Sequence, residues 1–241
     1  METLKQNVLK PTFGSSFGHG WESMKNYFLI LLLVVIVTSL VMAPMQIGNL
    51  NMDVADFNWD EFDMSWFNPG IAMVGIMAFI VGMIALAYTL LVVPIIKYGG
   101  DFMFVKAVRD IRPEFETLII GFKENYLYIV LANLLTGALI MLGFIFLFFP
   151  GIIVACRLVF VSYLVMDKKL DPIQAVEESW KLTRGHGWTV FFMGFVSFFL
   201  AIAGLALLFV GIIPAIMWIK SSFASLYQAV LQEKEALPQV A

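Results

Sequence analysis

Arg157 and Lys220 are the residues of this chain best suited to hold a ligand, because each is a lone cation inside a long apolar run. A cation within a bilayer costs about 2.5–3.5 kcal/mol on insertion scales, so it turns toward the protein interior or snorkels to the surface. Arg157 falls about 10 Å beyond Pro150, and Lys220 about 13 Å beyond Gly211, at the helical rise of about 1.5 Å per residue. No carboxylate falls within the same apolar runs. The partners in reach are Asn133, Thr136, Ser162, Ser221, Ser222, backbone carbonyls, water or a lipid phosphate. Arg157, Lys220 and Asn133 thus form either an anion or lipid-headgroup site or a hub of helix-packing hydrogen bonds.

Other chemistry is thinly represented. His19 and His186 sit in identical Gly-His-Gly-Trp tetrapeptides, but no third ligand stands at a metal-binding spacing, and the single Cys156 excludes paired thiolates. No metal and no cofactor is expected. The stretch 51–68 interleaves Asp53, Asp56, Asp60, Glu61 and Asp63 with aromatic residues, yet lacks the glycine and ligand spacing of an EF-hand. It reads as an acidic interfacial loop or a partner contact. There is no phosphate-binding glycine loop and no pair of intramembrane aspartates, so no catalytic residue is assigned.

The elements that must position these residues follow from composition. Of 241 residues, 61% are hydrophobic and 14% charged, and the mean hydropathy is +0.88. That excess cannot be buried in one water-soluble core, which excludes a soluble enzyme. A net charge of -3 gives no basic surface for nucleic acid. Crossing the hydrocarbon layer takes about 20 apolar residues, and runs this continuous suit helices rather than the alternating strands of a barrel. The runs are 27–43, closed by Pro44; 71–96; 126–149, turned by Pro150-Gly151 into 152–166; and 189–210, turned by residues 211–214 into a sixth ending near Leu231. The expected fold is an all-α polytopic membrane protein of six transmembrane helices in three hairpins, each preceded by a cytoplasmic amphipathic helix. Read as a cleaved signal peptide instead, the first run has Val41-Met42-Ala43 as its cleavage site, but Pro44 and the long preceding segment fit poorly.

Thirteen of the fifteen Lys and Arg residues fall in the N-terminal segment, the segments 97–125 and 167–188, and the tail. The positive-inside rule then puts both termini in the cytoplasm. The single membrane domain divides into an interfacial segment (1–26), hairpin 1 (27–96), hairpin 2 (126–166) and hairpin 3 (189–231), with a tail from 232 to 241.

The cytoplasmic segments look repeated where they enter an odd-numbered span. Their elbows carry His19, Trp21 and Lys25; Lys123 and Asn125; and Arg184, His186 and Trp188. Pro11, Pro113 and Pro172 open the three copies. In the third, Asp171 caps, Pro172 takes the first helical position and Gln174 completes a capping box. Ile173, Val176 and Trp180 follow on one side of that helix, and Gly185 or Gly187 ends it. Such helices either anchor the bundle in the headgroup region or offer a docking surface to another membrane or cytoplasmic protein.

From Phe149 onward the chain carries Pro150-Gly151-Ile152-Ile153, Arg157, Tyr163, Asp167, then Ala175, Glu178, Ser179 and Trp180, then Gly185-His186-Gly187-Trp188. This pattern resembles the six-span bacterial membrane proteins of the YciC-like type, and also the membrane domain fused to glycerophosphodiester phosphodiesterases. The resemblance implies a six-helix bundle in the bacterial inner membrane and brings no catalytic residues. Three functions are therefore weighed. The first is a non-enzymatic scaffold or accessory subunit of a membrane complex or envelope process, with the bilayer as its first partner. The second is a permease subunit that passes an anionic or amphiphilic solute along Arg157 and Lys220. The third is a lipid-modifying membrane enzyme.

Overall fold

The structure is a computed structural model that describes residues 9–48, 69–146, 148–206 and 211–236. Every regular element among them is helical. In chain order these are α1 (Phe13–Asn26), α2 (Phe28–Gly48), α3 (Pro69–Leu91), α4 (Val93–Val108), α5 (Glu116–Lys123), α6 (Tyr126–Phe146), α7 (Phe148–Arg157), α8 (Val161–Asp167), α9 (Pro172–Leu182), α10 (Gly187–Ala206) and α11 (Ile212–Ala236). Four helical stretches are long and apolar enough to cross a membrane: Phe79–Val108, Tyr126–Phe146, Phe148–Asp167 and Gly187–Ala206. A fifth is obtained if α1 and α2, bent by 96° across Tyr27, are counted together. The acidic stretch 51–68 lies outside the described residues.

Several helix limits differ from those the apolar runs suggest. Pro44 does not close α2, which continues to Gly48. Pro150-Gly151 does not form a turn either, because both residues sit in the first turn of α7, where proline loses no hydrogen bond it would otherwise make. The second apolar run is interrupted for one residue at Val92, two before Pro94, and then passes Ile96 to end at Val108. Gly99 and Gly100 do not break this helix but let it pack closely. A Cβ on Gly99 would stand 2.7 Å from the Leu118 carbonyl oxygen, which only glycine avoids.

α11 falls outside the candidate spans for a physical reason. It runs through the middle of the bundle against α1, α2, α4, α9 and α10, and buries Ser221, Ser222, Ala224, Ser225 and Tyr227. A helix enclosed by protein gains from small residues that let neighbours approach, and has no need of a uniformly apolar exterior. Its tightest contact is with α1, where Gly20 leaves room for the backbone of Ser222, 2.7 Å from where a Cβ would be. Trp218 fastens the same contact by donating its indole N–H to the Phe17 carbonyl at 3.0 Å.

The ends of α4 and α8 are tied to α11 by a dense polar knot. Arg109, at the end of α4, donates both Nη groups to the two oxygens of Asp167 at 2.6 Å each and its Nε to Gln228 at 2.7 Å. Tyr227 donates its hydroxyl to Asp167 at 2.8 Å and stacks on Tyr163 with ring centres 5.2 Å apart. Burial works against the charge of Arg109, but the bonds to Asp167 outweigh it and raise its pKa. The opposite part of the bundle is different in kind. Along α3, the end of α6 and α10, large apolar side chains such as Phe79, Ile145, Phe198 and Ile202 lie exposed.

Candidate functional site

Arg157 and Lys220 do not meet. Arg157 closes α7 and faces α10, whereas Lys220 on α11 faces α4 and α6. Each has its own surroundings, and these differ in chemistry.

Arg157 stands beside a break in the helix. α7 ends at this residue and α8 begins at Val161, with a non-helical turn at 158–160 between them. The exposed backbone of that turn is satisfied by α9. Ser179 donates its hydroxyl to the Arg157 carbonyl at 2.7 Å and accepts the Phe160 N–H at 3.3 Å, and Thr183 adds a long bond to the same carbonyl at 3.4 Å. Polar backbone away from water needs such partners, so Ser179 is what lets the break persist. The guanidinium donates to the Thr183 carbonyl at 2.7 Å, at the C-terminal end of α9 where a cation is favoured, and lies 5.8 Å over the Trp180 ring. Among the described residues no carboxylate pairs with it.

Beyond the guanidinium opens a groove of about 580 Å³ between α7 and α10, walled by Phe149, Ile152, Ile153, Cys156, Trp188 and Phe191. The backbone of Gly185 and Gly187, at the start of α10, completes its polar end. Gly185 has φ +94, a left-handed turn that glycine adopts without strain. The result is one guanidinium with spare donors at the head of an otherwise apolar trough.

Lys220 sits in a polar setting. Its Nζ donates to Asp101 Oδ1 at 2.6 Å and lies 5.8 Å over the Phe104 ring. Asp101 belongs to α4, seven residues or about 10 Å before its end at Val108. The expectation that no carboxylate shares the spans is overturned, because α4 carries Asp101 inward in a helix continuous with the second apolar run. The pair borders a second cavity of about 300 Å³, which also receives Asn133 and Thr136 from α6. Lys220 and Asn133 are thus brought together, and Arg157 is not with them.

The elbow residues have mostly structural partners. His19 Nε2 lies 3.1 Å from the Val108 carbonyl oxygen, and Trp21 packs on Trp218 at 4.9 Å with Lys25 over its outer face at 6.0 Å. Lys123 makes a loose, exposed pair with Glu116 at 3.8 Å. Asn125 takes a left-handed conformation (φ 59) and accepts the first bond of α6 from the Ile129 N–H at 3.0 Å. Arg184 is exposed, His186 Nε2 lies 3.3 Å from Glu233, and Trp188 projects with 75% of its surface free. The two Gly-His-Gly-Trp tetrapeptides also differ in form, since the first lies inside α1 and the second forms the turn into α10. Among the described residues no group of three His, Cys, Asp or Glu side chains can hold a metal ion.

In α9 Asp171 caps as anticipated, accepting the Gln174 N–H at 2.8 Å, but among the described residues the Gln174 side chain makes no return bond to complete the box. The packed face does not. Ala175, Ser179 and Leu182 are buried, while Ile173 and Trp180 remain exposed. Small residues let α9 approach the helix break closely, and that contact decides the orientation.

By fold and site the described residues are all-helical, with four or five helices fit to cross a membrane, as a multi-pass membrane protein requires. Comparison with family models, curated proteins and solved structures gave no match.

Proposed function

We propose that this chain is a non-enzymatic accessory protein of the bacterial inner membrane that holds an anionic amphiphile, of phospholipid type, in the groove between α7 and α10. One observation carries the reading. Arg157 keeps unpaired donors at the head of a trough whose walls are apolar and whose flanks, Phe149 and Trp188, are 76% and 75% exposed. A phosphate would take the guanidinium in a bidentate bond, and an acyl chain would lie along Ile153 and Phe149. In this reading α11 is a sixth span enclosed by the others, both termini lie in the cytoplasm, and the exposed apolar faces of α3, α6 and α10 meet lipid. The same arrangement is in keeping with the six-span YciC-like proteins. α1, α5 and α9 lie at the headgroup level, where the free face of α9 meets the interface or a protein partner. A solute route along both Arg157 and Lys220 loses support, since the two line separate cavities.

The test is native mass spectrometry of the protein from nanodiscs containing phosphatidylglycerol and phosphatidylcholine in equal parts. Wild-type protein is expected to retain phosphatidylglycerol, and Arg157→Ala to lose that preference about tenfold, the value of about 1.4 kcal/mol expected for a charge-assisted bond. Equal retention of the two lipids by wild type would sink the proposal.

A further inference from the structure

We infer that the cavity bordered by α4, α6, α8 and α11 is a binding site for a small zwitterion that carries both an ammonium and a carboxylate group. The inference is independent of the lipid groove, from which this cavity is separate.

The cavity holds a matched pair of opposite charges that is not fully used. Lys220 spends one of its three donors on Asp101, and Asp101 has no other hydrogen bond among the described residues. Their side chains are 27% and 11% exposed, so neither is freely hydrated. A buried pair of this kind adds little net stability compared with apolar residues of the same volume, so its presence calls for another use. Asn133 projects an amide into the same space with no side-chain hydrogen bond among the described residues. One turn further along α6, the Thr136 hydroxyl is buried and has no partner. A buried polar group left unpaired is costly, and a polar molecule bound in the cavity would give the half-buried Asn133 amide a partner.

The charges also restrict which ligand fits. A simple anion would meet Lys220 already neutralised at 2.6 Å and find only the exposed Lys97 left to it, and a simple cation would have to displace Lys220 from Asp101. A molecule bearing both charges can insert between the two side chains. It offers its carboxylate to Lys220 and its ammonium to Asp101, so both members of the pair keep a partner. The volume of about 300 Å³ is at the lower end for ligand sites, which favours a solute of amino-acid size. The break between α7 and α8 borders the same space through Leu158 and Val159. Non-helical backbone at membrane depth is tolerated where it lines such a cavity or is buried in protein.

The experiment is thermal unfolding of the full-length protein in nanodiscs, with glycine, alanine, serine, glutamate, sodium acetate or methylammonium chloride added at matched ionic strength. At least one of the four amino acids is expected to raise Tm by several degrees, and neither acetate nor methylammonium to do so. Asp101→Asn and Asn133→Leu should each abolish the rise. Asn133→Leu leaves the ion pair intact and decides the matter if Asp101→Asn fails to fold. Arg157→Ala should keep the rise, which separates this result from that of the lipid groove. No rise with any amino acid, an equal rise with acetate, or a rise that persists in Asn133→Leu would overturn the inference.

Discussion

Arg157 and Lys220 are chemically similar, and their neighbours make them different. Lys220 has a carboxylate at 2.6 Å, whereas Arg157 has only a carbonyl and an aromatic face. Removing one member of a buried pair strands the other, so Lys220→Met and Asp101→Asn are each expected to destabilise the protein more than the double substitution does. A denaturation cycle on the four proteins measures this, and a double variant as damaged as the sum of the singles would show that the two side chains do not interact. The Arg109–Asp167 knot should behave as structure alone. Arg109→Ala is expected to cost about 1.5–3 kcal/mol, the range for hydrogen bonds to charged groups, with no change in lipid preference. Its check is thermal stability alongside native mass spectrometry. Arg157 and Lys220 were legible from the sequence as cations in apolar runs. Asp101 was not, because its partner is 119 residues away and the apolar run ends at Ile96, five residues short of it.

At the scale of the element, the break between α7 and α8 depends on α9. Ser179→Ala would leave the Phe160 N–H without its bond and weaken the hold on the Arg157 carbonyl, at a cost of about 1–3 kcal/mol for buried polar groups left unpaired. Hydrogen exchange at residues 158–161 is expected to speed up while α10 stays protected. Unchanged exchange there would mean that the break holds itself. The cap of α9 could be read locally, since Asp171 and Gln174 are three residues apart. Its buried face could not. Ile173, Val176 and Trp180 form the more apolar stripe, yet the small Ala175–Ser179–Leu182 face is the one that reaches the break. The Gly-His-Gly-Trp tetrapeptides teach the same lesson, because tertiary context makes one a helix interior and the other a turn with Gly185 at φ +94.

For the whole molecule, the apolar excess of the composition divides into two populations. One is buried along α4, α8 and α11, around Phe104, Phe160, Leu164 and Leu226. The other remains exposed on α3, α6 and α10, which is the distribution expected of a bundle wrapped by hydrocarbon at one part and closed on itself at the other. Apolar runs locate such helices well, α11 included from residues 211–214 to about Leu231, but they do not show that α11 is enclosed by the other helices. Cys156, the chain's single cysteine, lines the Arg157 groove and so reports its occupancy. Its alkylation by N-ethylmaleimide is expected to slow when phosphatidylglycerol replaces phosphatidylcholine around wild-type protein and to be indifferent to that exchange in Arg157→Ala.

The most direct measurement is a cryo-electron microscopy map of the protein in phosphatidylglycerol nanodiscs. The account predicts a lipid-shaped density between α7 and α10, with its phosphate within hydrogen-bonding distance of the Arg157 guanidinium and a chain passing Ile153 and Phe149. A groove that is empty at a resolution where annular lipids are visible, or a guanidinium turned to an acidic side chain instead, would contradict it.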